Sequence, residues 1–191
     1  KKPGPAAEAL EGICYLVGAG PGDPGLMTLR GRECLERADV VIYDYLSNAE
    51  FLRFAPAAAE KIYAGKTAGQ HALRQEETNA LLVKFTREGK TVVRLKGGDP
   101  FLFGRGGEEA AELAAAGLRF EIVPGVTSAI GGLAYAGIPV THRASNAVLT
   151  IFTGHEEPDK KTSGINYKAI ASAPGTKVML MGVERLSAIT G

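Results

Sequence analysis

TVVRLKGGDPFLFGRGGEE, residues 91–109, decides the fold. Thr91 to Leu95 is apolar and β-branched, the character of a buried strand. Lys96-Gly97-Gly98-Asp99-Pro100 then breaks it. Two glycines permit positive φ and a close approach of backbone to a ligand, and the proline stops the strand. After Phe101-Leu102-Phe103, a second glycine cluster opens a helix from Gly106 to Ala116, with Glu108 and Glu109 suited to its positive N-terminal end. In open α/β sheets such a strand, loop and helix put the ligand site at the carboxyl ends of the strands. Function is therefore sought there, and the rest of the chain is read for partners to this loop.

Upstream, Ile13 to Val17 reads as a strand, Gly18-Ala19-Gly20-Pro21-Gly22-Asp23-Pro24-Gly25 as a first glycine-rich loop, and Thr28 to Ala38 as a helix capped by Thr28. Asp39 to Tyr43 is a second strand ending in Asp44, so the run is a βαβ unit with a parallel sheet and a right-handed crossover. Phe51 to Phe54 is a short helical piece and Lys61 to Ala64 a short strand. Gln75 to Glu88 is an amphipathic helix burying Leu81, Leu82 and Phe85 and stopped by Gly89. Downstream, Leu118 to Val123 is a strand and Ser128 to Ala136 a small-residue helix stopped by Gly137. Residues 138–143 read as a connector, Val148 to Thr153 as a strand, Asn166 to Ala173 as a helix, Thr176 to Met181 as a strand and Val183 to Thr190 as a helix. The expected organisation is a mobile tail over residues 1–12, an N-terminal α/β domain over 13–140, and an incomplete C-terminal α/β domain over 141–191.

The 191 residues are 45% hydrophobic with a formal net charge of +1, the balance of an ordinary globular chain. No long-range field draws it to nucleic acid or an anionic membrane. Neither a bilayer-spanning apolar run nor a signal-like segment is present, so a cytoplasmic protein is expected. Cys14 and Cys34 have no Cys or His at metal-ligand spacing, and His71, His142 and His155 are scattered, so no metal is expected. The two cysteines read as small buried apolar residues.

Gly18-Ala19-Gly20-Pro21-Gly22-Asp23 invites comparison with a dinucleotide-binding G-x-G-x-x-G, but Asp23 stands at the third glycine and Pro21 removes a backbone N–H. Asp23 reads equally as a side chain capping its own loop. Asp99 either contributes to a ligand site or closes its turn. Asp44 and Lys66 fall just past strand ends on the edge that carries the glycine loops, where they either move protons or are solvated charges. Arg94, Lys96, Arg105, Arg143 and Arg185 form a looser set of cations able to bind carboxylates.

Seven segments in unbroken order resemble the tetrapyrrole (corrin/porphyrin) methylase family: VGAGPGDPGLMTLRG (17–31), ADVVIYDYL (38–46), AGKTAGQH (64–71), VVRLKGGDPFLFGRGGEE (92–109), VPGVTSAIGGLAYAGIPVTHR (123–143), FTGHE (152–156) and MLMG (179–182). The resemblance implies the two-domain tetrapyrrole methylase fold, with a mostly parallel sheet in the first domain and a second domain only partly present. It also implies a homodimer that binds S-adenosylmethionine and leaves S-adenosylhomocysteine. Within the family, the loops look like those of members that methylate uroporphyrinogen III at C2 and C7 to give precorrin-2, on the route to sirohaem and cobalamin. Carried over by motif, the cofactor contacts would be Pro21, Gly97, Gly98, Asp99, Leu102, Thr127, Ser128 and Met181. Asp44 would be a proton acceptor and Lys66 a proton donor. Uroporphyrinogen carries carboxylates on every ring, which Lys66 and nearby arginines would attract.

Three other readings stand beside this one: a methylase of the same family acting on a later precorrin, an NAD-binding oxidoreductase with Asp44 on a ribose, and a non-catalytic binding module.

Overall fold

Strand β4, Thr91–Lys96, is the centre of a five-stranded, wholly parallel sheet, as the alternation of its side chains between two buried faces requires. The computed structural model describes residues 11–65, 73–155 and 164–190. The sheet runs in the order β3-β2-β4-β1-β5, with β1 Ile13–Gly18, β2 Val40–Tyr43, β3 Glu60–Tyr63 and β5 Arg119–Val123. Helix α1, Leu29–Glu36, and a 3-10 segment, Ala49–Phe54, cover one face through Leu35 and Phe51, which pack with Val17, Val41, Val93 and Leu95. Helices α2, Gln75–Arg87, and α3, Gly106–Ala115, cover the other through Leu82, Phe85 and Leu113, against Leu16, Ile42 and Val92. Each fully buried side chain of this size stabilises the fold by about 1.5–3 kcal/mol.

The local signals act as read from the sequence. Thr28 accepts the Gly31 N–H at 3.0 Å as the cap of α1, and Gly89 ends α2 with φ of 83°, the left-handed region open to glycine. Cys14 and Cys34 are buried and unpaired, and burial pushes the Cys34 thiol up to about 11.

The contacts divide the chain into two units, one through Thr127 and one from Ser128. The expected division near residue 140 differs because α4, Ser128–Tyr135, packs against the strand Thr176–Leu180 of the second unit, a long-range contact. That unit contains β6, Leu149–Thr153, paired in parallel with β7, Thr176–Leu180, from Leu149 opposite Thr176 to Thr153 opposite Leu180. Helix α5, Tyr167–Ser172, is capped by Asn166, and a 3-10 turn, Val183–Arg185, leads into α6, Leu186–Thr190. Among the described residues no helix is long and apolar enough to cross a membrane, and no group of three or more His, Cys, Asp or Glu could hold a metal ion.

Candidate active site

Three glycine-bearing segments meet at the carboxyl edge of the first unit's sheet. Gly20 and Gly98 bond in both directions, the Gly98 N–H to the Gly20 carbonyl at 2.8 Å and the Gly20 N–H to the Gly98 carbonyl at 3.2 Å. The third segment follows β5. A Cβ built on Gly125 would lie 2.2 Å from the Gly98 carbonyl oxygen and 2.7 Å from the Gly18 Cα, so these strand ends approach too closely for any side chain. Gly125→Ala is therefore expected to destabilise the fold by about 1–3 kcal/mol, read as a lower urea midpoint at unchanged slope. Gly132→Ala in α4, where a Cβ meets nothing within 4 Å, is the control and should not lower the midpoint.

Asp99 ties the same segments together. Its Oδ2 accepts the Gly125 N–H at 3.0 Å and its Oδ1 the Phe101 N–H at 2.8 Å. The turn-closing alternative is thus realised, and each oxygen keeps a second lone pair for a ligand. Gly98 sits at φ of 65°, and a Cβ there would meet only the Thr127 Cα, at 3.9 Å. This backbone is open on one side, the cradle that close approach of a cofactor needs. Gly97 is glycine for a different reason: a Cβ would lie 2.6 Å from the Leu46 carbonyl oxygen, in the turn that carries Asp44. Pro21, Leu102 and Thr127 are half-buried. Asp23 accepts the Gly25 N–H at 2.7 Å and so caps its own loop. In the second unit, Ser128 is exposed at the start of α4. Met181, just past β7, holds φ of 55° and is 53% exposed. That left-handed conformation costs a non-glycine residue about 1–2 kcal/mol.

Asp44 is not a solvated charge. Its side chain is 25% exposed; Oδ2 accepts Arg94 Nη2 at 2.9 Å and Oδ1 the Leu46 N–H at 3.1 Å. Arg94 and Lys96, expected among a looser set of cations able to bind a ligand's carboxylates, are instead buried on a carboxylate of the protein itself. Both lie on the α2–α3 face of β4, each 4% exposed, and both donate to Glu109 Oε1, at 2.9 and 3.0 Å. Burial, then the charge of Arg94, pushes the Lys96 amine below its ordinary value, and Glu109 opposes this. Arg105 is exposed and paired with Glu108 at 2.6 Å, while Arg143 and Arg185 are exposed in the second unit. Lys66 and His71 lie outside the described residues.

Glu109 does not stand out as a member of this cluster in the sequence, where it reads with Glu108 as a helix-terminal acid. A signal was present: two cations at positions i and i+2 in an otherwise apolar buried strand require an anion on that same face. The sheet order also argues against the NAD-binding alternative. β4 separates β1 from β2, so the strand that ends in Asp44 is not the neighbour of the strand that leads into the first glycine loop, as the dinucleotide-binding arrangement has it.

The sequence profile of the tetrapyrrole (corrin/porphyrin) methylases matches residues 14–190. The chain is 55% identical over 175 residues to an S-adenosyl-L-methionine-dependent uroporphyrinogen III methyltransferase of Methanosarcina barkeri, covering 92% of this chain and 69% of that one. It is 51% identical over 181 residues to a siroheme synthase of Photorhabdus laumondii, covering 95% of this chain but only 38% of that protein. Among solved structures it is similar to the uroporphyrin-III C-methyl transferase of Thermus thermophilus complexed with S-adenosylhomocysteine, with a TM-score of 0.75, 40% identity, and coverage of 94% of this chain and 73% of that one.

Proposed function

Because the chain belongs to the tetrapyrrole (corrin/porphyrin) methylases, we propose that it is an S-adenosylmethionine-dependent C-methyltransferase that converts uroporphyrinogen III to precorrin-2 by methylation at C2 and then C7, or in the reverse order. The observation that carries the reading is the Asp44 carboxylate, held by Arg94 at the carboxyl edge on a turn whose Leu46 packs against Gly97 of the glycine loop.

S-adenosylmethionine supplies the methyl group on a sulfonium that is already a strong electrophile. The work left to the protein is alignment and charge. The proposed cofactor contacts are Pro21, Gly97, Gly98, Asp99, Leu102, Thr127, Ser128 and Met181. The open backbone at Gly98 supports this set, and so does the spare lone-pair capacity of Asp99. The strained backbone of Met181 supports it as well, because such conformations cluster at ligand sites. C-methylation leaves the pyrrole ring cationic, and the ring then loses a proton; Asp44 accepts it, with Lys66 as the proton donor of the pair. Tyr45 and Leu46, 80% and 68% exposed beside Asp44, offer apolar surface suited to a macrocycle. The reading carries with it a homodimer working in the cytoplasm.

Anaerobic incubation of the full natural chain with uroporphyrinogen III and S-adenosylmethionine, followed by product mass, tests it. A gain of two methyl groups is expected. Methylation of a later precorrin with none of uroporphyrinogen III would transfer the reading to another member of the family.

A further inference from the structure

Glu109 is fully buried, yet the proposed chemistry gives it nothing to do. Its Oε1 accepts three hydrogen bonds: Arg94 Nε at 2.9 Å, Lys96 Nζ at 3.0 Å, and Gln75 Nε2, from the first turn of α2, at 3.1 Å. Arg94 is the bridge. Beyond Nε on Glu109, its Nη1 reaches the Ile42 and Leu95 carbonyls at 3.4 and 3.2 Å, and its Nη2 is spent on Asp44 Oδ2 at 2.9 Å. A guanidinium is a rigid planar fork, so fixing Nε and Nη1 fixes where Nη2 points. On its buried side Asp44 is held by that nitrogen, and at Oδ1 by the Leu46 N–H.

Stability alone gives no reason for this cluster. The same face of the sheet is otherwise Leu16, Ile42, Val92 and Leu113, and apolar replacement of a buried ion pair is often neutral or stabilising. Two cations and two anions in one connected network do, however, fix a side chain at the rim of the site. We propose that Glu109 is a positioning residue for the Asp44 carboxylate, acting through Arg94. Lys96 balances the second negative charge. The inference rests on the reading of Asp44 as the proton acceptor.

The test uses the full natural chain, uroporphyrinogen III turnover, and S-adenosylhomocysteine binding by calorimetry. Lys96→Met combined with Glu109→Leu removes one charge of each sign and leaves the Arg94–Asp44 pair unanchored. Expected are unchanged S-adenosylhomocysteine affinity, KM within about threefold, and kcat down about 100-fold, the scale of a misplaced catalytic group. Adding Asp44→Asn to this variant should lower kcat no further than Asp44→Asn alone. Arg94→Lys keeps the charge but cannot span both carboxylates; it should show the same loss, and it decides the question if the double variant does not fold. Full kcat in the folded variants, with Asp44→Asn impaired, overturns the positioning role and leaves that of Asp44 standing. Losses that multiply with Asp44→Asn also overturn it, in favour of a merely structural role. Full kcat in Asp44→Asn overturns both.

Discussion

Asp44→Asn is expected to lower kcat by about 10²- to 10⁴-fold, the contribution of one positioned acid–base group. The affinity for S-adenosylhomocysteine should stay within about twofold of wild type, since the proposed cofactor contacts do not include Asp44. The substitution is chosen for its shape. The asparagine oxygen can still accept Arg94 Nη2, where Asp44 Oδ2 accepts it at 2.9 Å, so the buried fork keeps a partner while the group loses its ability to take a proton. Asp44→Ala confounds the two effects, because it strips a 4% exposed guanidinium of one of its two carboxylate partners. Single-turnover product mass and calorimetry separate them. A variant that methylates at the wild-type rate removes Asp44 from the chemistry.

Glu109→Ala is expected to produce the largest loss of stability, about 3–5 kcal/mol, because it leaves Arg94 and Lys96 buried on one face without their shared anion. Lys96→Met with Glu109→Leu should cost far less, since cation and anion leave together. The two deficits also differ in pH dependence. Burial and the charge of Arg94 push Lys96 below its ordinary value of 10.5, and Glu109 and Asp44 oppose them. Without Glu109 the folded state releases the Lys96 proton at still lower pH, while the unfolded chain keeps it. Stability rises with pH wherever the unfolded state binds more protons, so the deficit of Glu109→Ala should narrow as pH climbs toward 10.5. Urea midpoints at pH 7 and pH 9 measure this. An identical deficit at both would mean that Lys96 stays charged without its partner.

Much of this molecule is legible locally. The strands and helices of the first unit follow from apolar periodicity, the cap at Thr28 and the stop at Gly89, each decided within a few residues. The family assignment rests on motifs in linear order and needs no geometry. What stayed hidden depends on which strands are neighbours. Gly97 looks like a ligand-approach glycine, and only the packing of Leu46 against it shows the steric demand there. The boundary near residue 140 follows a change in composition, whereas α4 belongs with β7 through contacts far apart in sequence.

The sequence by itself determined an α/β chain with a parallel sheet, glycine-rich loops at its strand ends, and membership of the tetrapyrrole methylases. Only the tertiary structure decided which charges are free to act. Arg94 and Lys96 read as cations able to bind the carboxylates of a ligand, yet they are consumed by Glu109 and Asp44. The reason is physical: hydrophobic period and turn chemistry are local, but a buried charge takes whichever partner the sheet order brings to its face. Here β4 lies beside β2 and beneath α3.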